Sequence, residues 1–247
     1  IYTGNRGDVV EELTTTYLAR LIDKNKIYCS LSYLGEDGEA DVTTVTTEGM
    51  LFCECKSKII TLNSIKGLHE SIKTDVYQAI GAAYSQAVRS IERVQEGKKF
   101  VTPAAEEIVI DDISSKYIVC VTAENFGIIP SEIQDYIEID DDLGIPYVVN
   151  VYDLDIITKE CESYEEFIRY IEFRKKNQEV ISTLDELDAF GFFKKNGNVK
   201  ISIEDRNGAV VAVGSIAEEG AAVLEIASPE LWNTENPYLY QLILETE

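Results

Sequence analysis

Three strand-like runs in quick succession, followed by a long helical stretch, restrict the folds open to this chain more than any other feature. The runs are "IYCSLSYL" (27–34), "EADVTTVT" (39–46) and "MLFCECKSK" (50–58). The spacers "GEDG" and "TEG" are turn chemistry, and loops this short join neighbouring strands as antiparallel pairs. An antiparallel meander is therefore expected. From Ser64 to Gln95 the spacing changes. Ile65, Leu68, Ile72, Val76, Ile80, Ala83, Ala87, Ile91 and Val94 recur every three or four residues, which predicts one long helix.

Upstream, Val10, Leu13, Tyr17, Leu18 and Leu21 have helical spacing. Gly7-Asp8 is a plausible start, with Asp8, Glu11 and Glu12 in the first turn. Downstream, Pro103 in "KKFVTPAAEE" breaks the pattern. "KYIVCVTAE" (116–124) and "PYVVNVYDLD" (146–155) are continuous apolar runs, expected of strands covered on both faces. "IEIDDDLGIP" between them is a solvated acidic loop or helix end. Its run Asp140-Asp141-Asp142 lacks the twelve-residue pattern of a calcium loop. Residues 163–178 and 183–192 read as amphipathic helices. The texture then changes at "FFKKNGNVKISIEDRNGAVVAVGS". Asn196-Gly197 and Asn207-Gly208 are hairpin signals, and short strands without a helix are expected to the end. The chain thus reads as α/β (α+β) with a small all-β segment. The boundary falls near 196–198, giving units 1–197 and 198–247, with a helical appendage from about residue 156.

Charge is uneven along the chain. Residues 1–105 hold 12 Lys and Arg against 14 Asp and Glu, 106–197 hold 8 against 22, and 198–247 hold 2 against 9. A net charge of −23 argues against broad nucleic-acid affinity. The near-neutral first segment is the part suited to a phosphate backbone, and the acidic second half is a candidate face for a protein partner or a second copy. Five cysteines (29, 53, 55, 120 and 161) have no framework spacing, so reduced thiols and a cytoplasmic setting are expected. Cys53 and Cys55 read as buried strand cysteines, because no second Cys or His pair completes a zinc site. No apolar run approaches the ~18–20 residues that span a bilayer, so no membrane partner is expected. The chain begins at Ile1, as a piece of a longer protein could.

Glu54 and Lys56 stand out because they interrupt an apolar run. Charges are seldom placed in such a setting unless they are paired or bind something. Strand alternation puts Phe52, Glu54 and Lys56 on one face and Cys53, Cys55 and Ser57 on the other. If 39–46 pairs with 50–57, Asp41 lies at the end farthest from the turn. Asp41, Glu54 and Lys56 then converge at one sheet edge. Two carboxylates suit a hard cation such as Mg²⁺, which keeps several waters and binds phosphate oxygens. A neighbouring lysine can orient a nucleophile and stabilise developing negative charge.

"GEADV" followed by "MLFCECKSK" resembles the PD-(D/E)xK phosphodiesterase superfamily. Asp41 matches its first acid and Glu54-Cys55-Lys56 its E-x-K. The resemblance covers about residues 4–155 and implies a restriction-endonuclease-like core, a mixed sheet flanked by helices. It implies a nuclease, a hydrolase acting on DNA more readily than RNA with Mg²⁺ or Mn²⁺. Asp41 and Glu54 would hold the metal, and Lys56 would position water. A glutamate from the preceding helix would assist, Glu11 with Glu12 as the fallback. A glutamine on the following helix would be Gln86 or Gln78. The rival expectation is a catalytically silent interaction module on the same fold. Lys58, Lys66, Lys73, Arg89 and Arg93 could contact phosphates or form polar helix faces. His69 is the lone histidine and reads as a solvated helix position, so no His-based nuclease site is expected.

The C-terminal segment tells a separate story. Pro229, Leu231, Trp232, Asn236, Pro237, Tyr238, Leu239 and Tyr240 resemble part of the immunoglobulin-like sandwich domain of β-galactosidase-type glycosidases. In that family the sandwich is a spacer and the catalytic glutamates lie on a following barrel, so the resemblance implies no glycosidase activity for these residues. Trp232 and Tyr238 read as core aromatics. The two resemblances together suggest a fusion or a recombined gene.

Overall fold

Short glycine turns set the central sheet. In a computed structural model of the chain, β1 (Ile27–Tyr33), β2 (Glu39–Val45) and β3 (Met50–Lys56) pair antiparallel in chain order, as the meander requires. The structure describes residues 4–112, 115–178, 181–196, 199–215, 224, 226, 229–230 and 238–246. Gly49 closes the β2–β3 turn at φ +155°, where a Cβ would lie 2.7 Å from the Tyr117 ring. Glycine is the residue that fits such a backbone and such a space. Thr46 completes the turn: its Oγ1 accepts from Gly49 N at 3.2 Å, and its backbone N donates to Gly49 O at 3.3 Å.

β3 is an interior strand. Adding β4 (Phe100–Val101), β5 (Glu107–Ile108), β6 (Lys116–Thr122) and β7 (Tyr147–Asn150) gives a seven-stranded mixed sheet in the order β5-β4-β1-β2-β3-β6-β7. β3, β6 and β7 run parallel. Parallel strands covered on both faces are continuously apolar, and β6 is buried from Tyr117 to Thr122. On one face lies the core of Phe52, Ile80, Ala83, Ala87, Ile118 and Cys120, closed by α4 (Ala82–Gln95). On the other face lie α1 (Gly4–Leu18) and α6 (Tyr164–Lys176). There the Cys55 thiol donates to Thr14 Oγ1 at 3.5 Å, and the Tyr164 and Thr44 hydroxyls meet at 2.7 Å. Cys53 and Cys55 are buried strand cysteines, and their strand alternation is as read.

Several elements depart from the sequence reading. α1 begins at Gly4, so Asp8, Glu11 and Glu12 fall beyond the first turn. The stretch 146–155 is a strand only to Asn150. Asn150 Oδ1 then accepts from Tyr152 N and Asp153 N, each at 3.0 Å, and caps α5 (Val151–Glu160). The apolar run continues as a helix because a cap intervenes. α5 and α6 begin the region read as an appendage, and Arg20, just past the end of α1, donates to Asp155 Oδ1 on α5 at 2.7 Å. The long helix is segmented into α2 (Leu62–Ile65), α3 (His69–Val76), a π-helical turn over Tyr77–Gly81, and α4. Ile65 and Leu68, expected on its buried face, are exposed. Helix α7 (Glu186–Asn196) runs through the first residue of the expected Asn196-Gly197 turn, whose Gly197 lies outside the described residues. Among the described residues no helix is long and apolar enough to cross a membrane.

The chain forms two compact units, residues 1–187 and 188–247. In the second, β8 (Val199–Glu204) pairs antiparallel with β9 (Val210–Ser215) and β10 (Gln241–Thr246). The Asn207-Gly208 hairpin forms as read. Gly208 has φ +77°, and Asp205 Oδ1 accepts from Asn207 N at 2.8 Å and Ala209 N at 2.9 Å. Tyr238 is buried under the Arg206 guanidinium at 4.3 Å, while Leu231, Trp232, Asn236 and Pro237 lie outside the described residues.

Asp75 locks the segment that leaves β3. Its Oδ2 accepts from Thr61 N and Oγ1, both at 2.7 Å, and from Ser64 Oγ at 2.6 Å. Its Oδ1 pairs with Lys58 Nζ at 3.1 Å. Burial opposes the charge, but donors from Ser64, Thr61 and Lys58 outweigh it and hold the carboxyl well below the usual carboxylate range. A depressed folded pKa stabilises above the unfolded pKa of about 3.9, and that stability is lost as pH falls through the folded value. Asp75→Asn is expected to lower unfolding stability by about 1–3 kcal/mol at pH 7. The gap from wild type should narrow below about pH 4. Urea titrations at pH 7 and pH 3 check this, and a gap independent of pH would refute it.

Candidate functional site

The β2–β3 ladder ends at Val42↔Cys53, and the next step would face Asp41 with Glu54. A side chain takes over from the backbone at that point. Asp41 Oδ2 accepts from Cys55 N at 2.7 Å and from Lys56 Nζ at 3.2 Å. Its Oδ1 accepts from Gln86 Nε2 at 3.0 Å. On the opposite flank, β1 pairs with β2 at Cys29↔Val42 and Leu31↔Ala40 and skips Ser30, which stands across from Asp41 at φ +48°. A serine in the left-handed region is uncommon. The sheet is thus distorted on both sides of Asp41.

Glu54 is fully buried beside Asp41 and, across the parallel pair, Cys120. Neither carboxylate oxygen finds a hydrogen-bond partner. Lys56 Nζ is 4.0 Å from Oε2, close enough for an ion pair but too far for a hydrogen bond. Burial first, and then the Asp41 charge, push the Glu54 carboxyl well above the usual range, with Lys56 offsetting only part of this. An uncompensated buried carboxylate costs several kcal/mol unless it gains a proton or a partner. Lys56 behaves oppositely. Burial alone would lower its pKa, but the Asp41 and Glu54 carboxylates raise it further, so it stays an ammonium. It donates to Gln86 Oε1 at 3.0 Å. Gln86, on α4, is held by a second bond from its Nε2 to Glu39 O at 2.9 Å.

The helices place the two candidates of each pair differently. Glu11 on α1 is half-buried, and its pKa is raised by burial first and by Asp41 second, so it lies in the field of the site. Glu12 faces solvent. Gln78 is exposed on the π turn, whereas Gln86 bonds both Lys56 and Asp41. The convergence is not at a sheet edge: β2 and β3 are interior strands, and the residues meet at one end of them. Sequence reading also missed the Cys55 backbone N–H as an Asp41 donor. The step from Val42↔Cys53 to an acidic residue at the ladder's end could have pointed to it.

Other candidate residues lie elsewhere. Arg93 is not available for phosphate: it is buried, stacked on Tyr33 at 4.5 Å, and donates to Lys99 O at 3.0 Å. Lys58 is paired with Asp75. Lys66, Lys73, Arg89 and His69 are exposed. Asp140 Oδ1 accepts from Asp142 N at 2.9 Å and Leu143 N at 3.0 Å, a local turn in an acidic loop. Among the described residues no three His, Cys, Asp or Glu side chains cluster to hold a metal unaided.

A family model described as Glycosyl hydrolases family 2 matches residues 175–247, reaching farther upstream than the glycosidase-like segment read from residue 198. No curated protein and no solved structure matches the chain.

Glu54→Gln removes the buried charge and keeps the shape. It is expected to raise the metal-free melting midpoint by about 3 °C at pH 7, on the order of 1 kcal/mol. The raised carboxyl favours the folded state most when protonated, so the gain should be smaller at pH 5 than at pH 8. Scanning calorimetry in EDTA at both pH values checks this, and a lower midpoint would show that the carboxylate is satisfied within the protein.

Proposed function

We propose that the first unit is a restriction-endonuclease-like phosphodiesterase that hydrolyses DNA with Mg²⁺ or Mn²⁺. The observation that carries this reading is the buried Glu54 carboxylate, which lacks a hydrogen-bond partner beside Asp41 and within reach of Lys56. A hard divalent cation fits this donor set. It takes one or two carboxylates, retains waters and accepts substrate phosphate oxygens in place of further protein ligands. Asp41 and Glu54 would hold it, with Glu11 assisting through its charge rather than as a third clustered ligand, and when bound it would acidify a water and neutralise phosphoryl charge.

The protein's own groups have distinct tasks. The Asp41 and Glu54 carboxylates favour Lys56 as an ammonium, which suits it to donate. It donates hydrogen bonds that orient a water and stabilise negative charge on the phosphoryl oxygens. Gln86 fixes the ammonium and Asp41 in one geometry from a rigid helix. Cys55 N fixes the other Asp41 oxygen. The second unit is read as a non-catalytic, sandwich-like module, supported by the family match over 175–247. The rival reading is a silent nuclease-fold module that docks a partner through the acidic residues 106–247. It is favoured by the net charge of −23 and by Asp41 oxygens already bonded within the protein.

Nicking of supercoiled DNA with Mg²⁺ or Mn²⁺ decides between them. Wild type should cleave, and Lys56→Ala and Glu54→Gln should each lose at least ~100-fold in rate. Glu11→Ala should weaken Mn²⁺ binding about 10-fold by calorimetry, with Glu12→Ala unchanged. No metal-dependent cleavage, or equal cleavage by all variants, would favour the silent module.

A further inference from the structure

The chain leaves the candidate site at Lys56 and returns to it at Gln86. The segment between carries a surface that neither core nor site uses. Leu62 is 63 % exposed, Ile65 70 % and Leu68 50 %, with Ile59 and Tyr77 also in solvent. Single exposed apolar residues are ordinary, but a consecutive group on one short segment is not. The charge here also differs from the rest of the protein: residues 57–85 hold three lysines against Glu70 and Asp75, and Lys58 is paired with Asp75, in a chain of net charge −23. Lys66 and Lys73 are exposed, as is Arg89, three residues beyond Gln86 on α4. The surface is held out rather than loose, because Asp75 ties Thr61 and Ser64 to α3 and Lys58 closes the knot.

We propose that α2 and α3 form a duplex-DNA grip, with Leu62 and Ile65 as an apolar wedge pressed against or between bases and Lys66 and Lys73 on the flanking phosphates. This rests on the phosphodiesterase reading, because a phosphodiester at Lys56 brings its neighbouring nucleotides onto adjoining surface. Among the occupants of an exposed apolar segment that also carries Lys66 and Lys73, DNA matches both features. Apolar side chains unstack base steps in the minor groove, and lysines neutralise phosphates. It also gives so acidic a protein a way to approach a polyanion, by presenting a segment without net negative charge beside the site.

The test uses the full chain in EDTA, so that binding is read apart from cleavage. The probe is a short duplex with 2-aminopurine, whose fluorescence rises when its base unstacks. Wild type should bind and raise the fluorescence. Leu62→Ser/Ile65→Ser should lose that rise and bind at least 10-fold more weakly. Lys66→Glu/Lys73→Glu should bind more weakly and shallow the log Kd against log salt slope by about 2. Val109→Glu, an acidic substitution at an exposed site elsewhere, should bind as wild type. All these positions are exposed, and unchanged melting midpoints confirm folding.

Wild-type affinity in both double variants would overturn the grip, as would no binding by wild type. So would loss of anionic-vesicle binding or of self-association, rather than of DNA binding, in the wedge variant. Cleavage by wild type and wedge variant alike would remove the grip and leave the site reading standing. Wedge-dependent binding without any metal-dependent cleavage would support the grip and remove the site reading.

Discussion

A single carboxylate decides how the central sheet ends. Where the β2–β3 ladder runs out, the Cys55 N–H would lack a partner, and buried backbone donors are rarely left that way. Asp41 supplies the acceptor at 2.7 Å and with the same oxygen holds the Lys56 ammonium. Its other oxygen anchors Gln86 from α4. One side chain thus joins two strands, a lysine and a helix. This is why Lys56 is only partly exposed yet stays charged, and why Glu54 beside it is left with a burial cost that Lys56 offsets only in part.

The arrangement separates two carboxylates that are close in space. Asp41 is surrounded by donors from backbone, lysine and amide. Glu54, in line with it, is fully buried, with the Lys56 ammonium no nearer than 4.0 Å and no hydrogen bond of good geometry to either oxygen. A buried carboxylate with a raised pKa beside charged neighbours is typical of sites that bind or react. β3 is paired with the parallel strand β6 at Glu54↔Cys120 and on to Lys56↔Thr122, and along β3 burial is complete at Glu54 and falls off only at Lys56.

Much of this was legible from residue types and spacing. Alternation placed Glu54 and Lys56 on one face, and the brevity of the Thr47–Gly49 turn fixed Asp41 opposite them. The choice between Glu11 and Glu12 was not legible, because adjacent helical positions differ by 100° and the pattern did not fix the helix's rotation. The same holds for Gln78 and Gln86, separated by a π turn that no residue type announces. The run 146–155 misled because a fully buried strand and a buried helix start are equally apolar. The informative residues were Asn150 and Asp153, a cap and an acid three residues on. Ile65 and Leu68 fitted the helical period of the core and are nonetheless exposed. Periodicity reports a face, not what covers it.

Parallel pairing of β3 with β6 carries a consequence for how this centre comes into being. Asp41, Glu54, Lys56 and Gln86 have all been synthesised well before Lys116, where β6 begins. Yet Glu54 is enclosed only once β6 lies along β3. The nascent chain therefore holds the complete set of side chains for some time without the enclosure that makes one of them unusual. Non-local strand pairing is slow relative to local meanders, so the electrostatic character of the centre is acquired late, as a property of tertiary closure. Whatever reactivity these residues have is acquired only when β6 closes on β3.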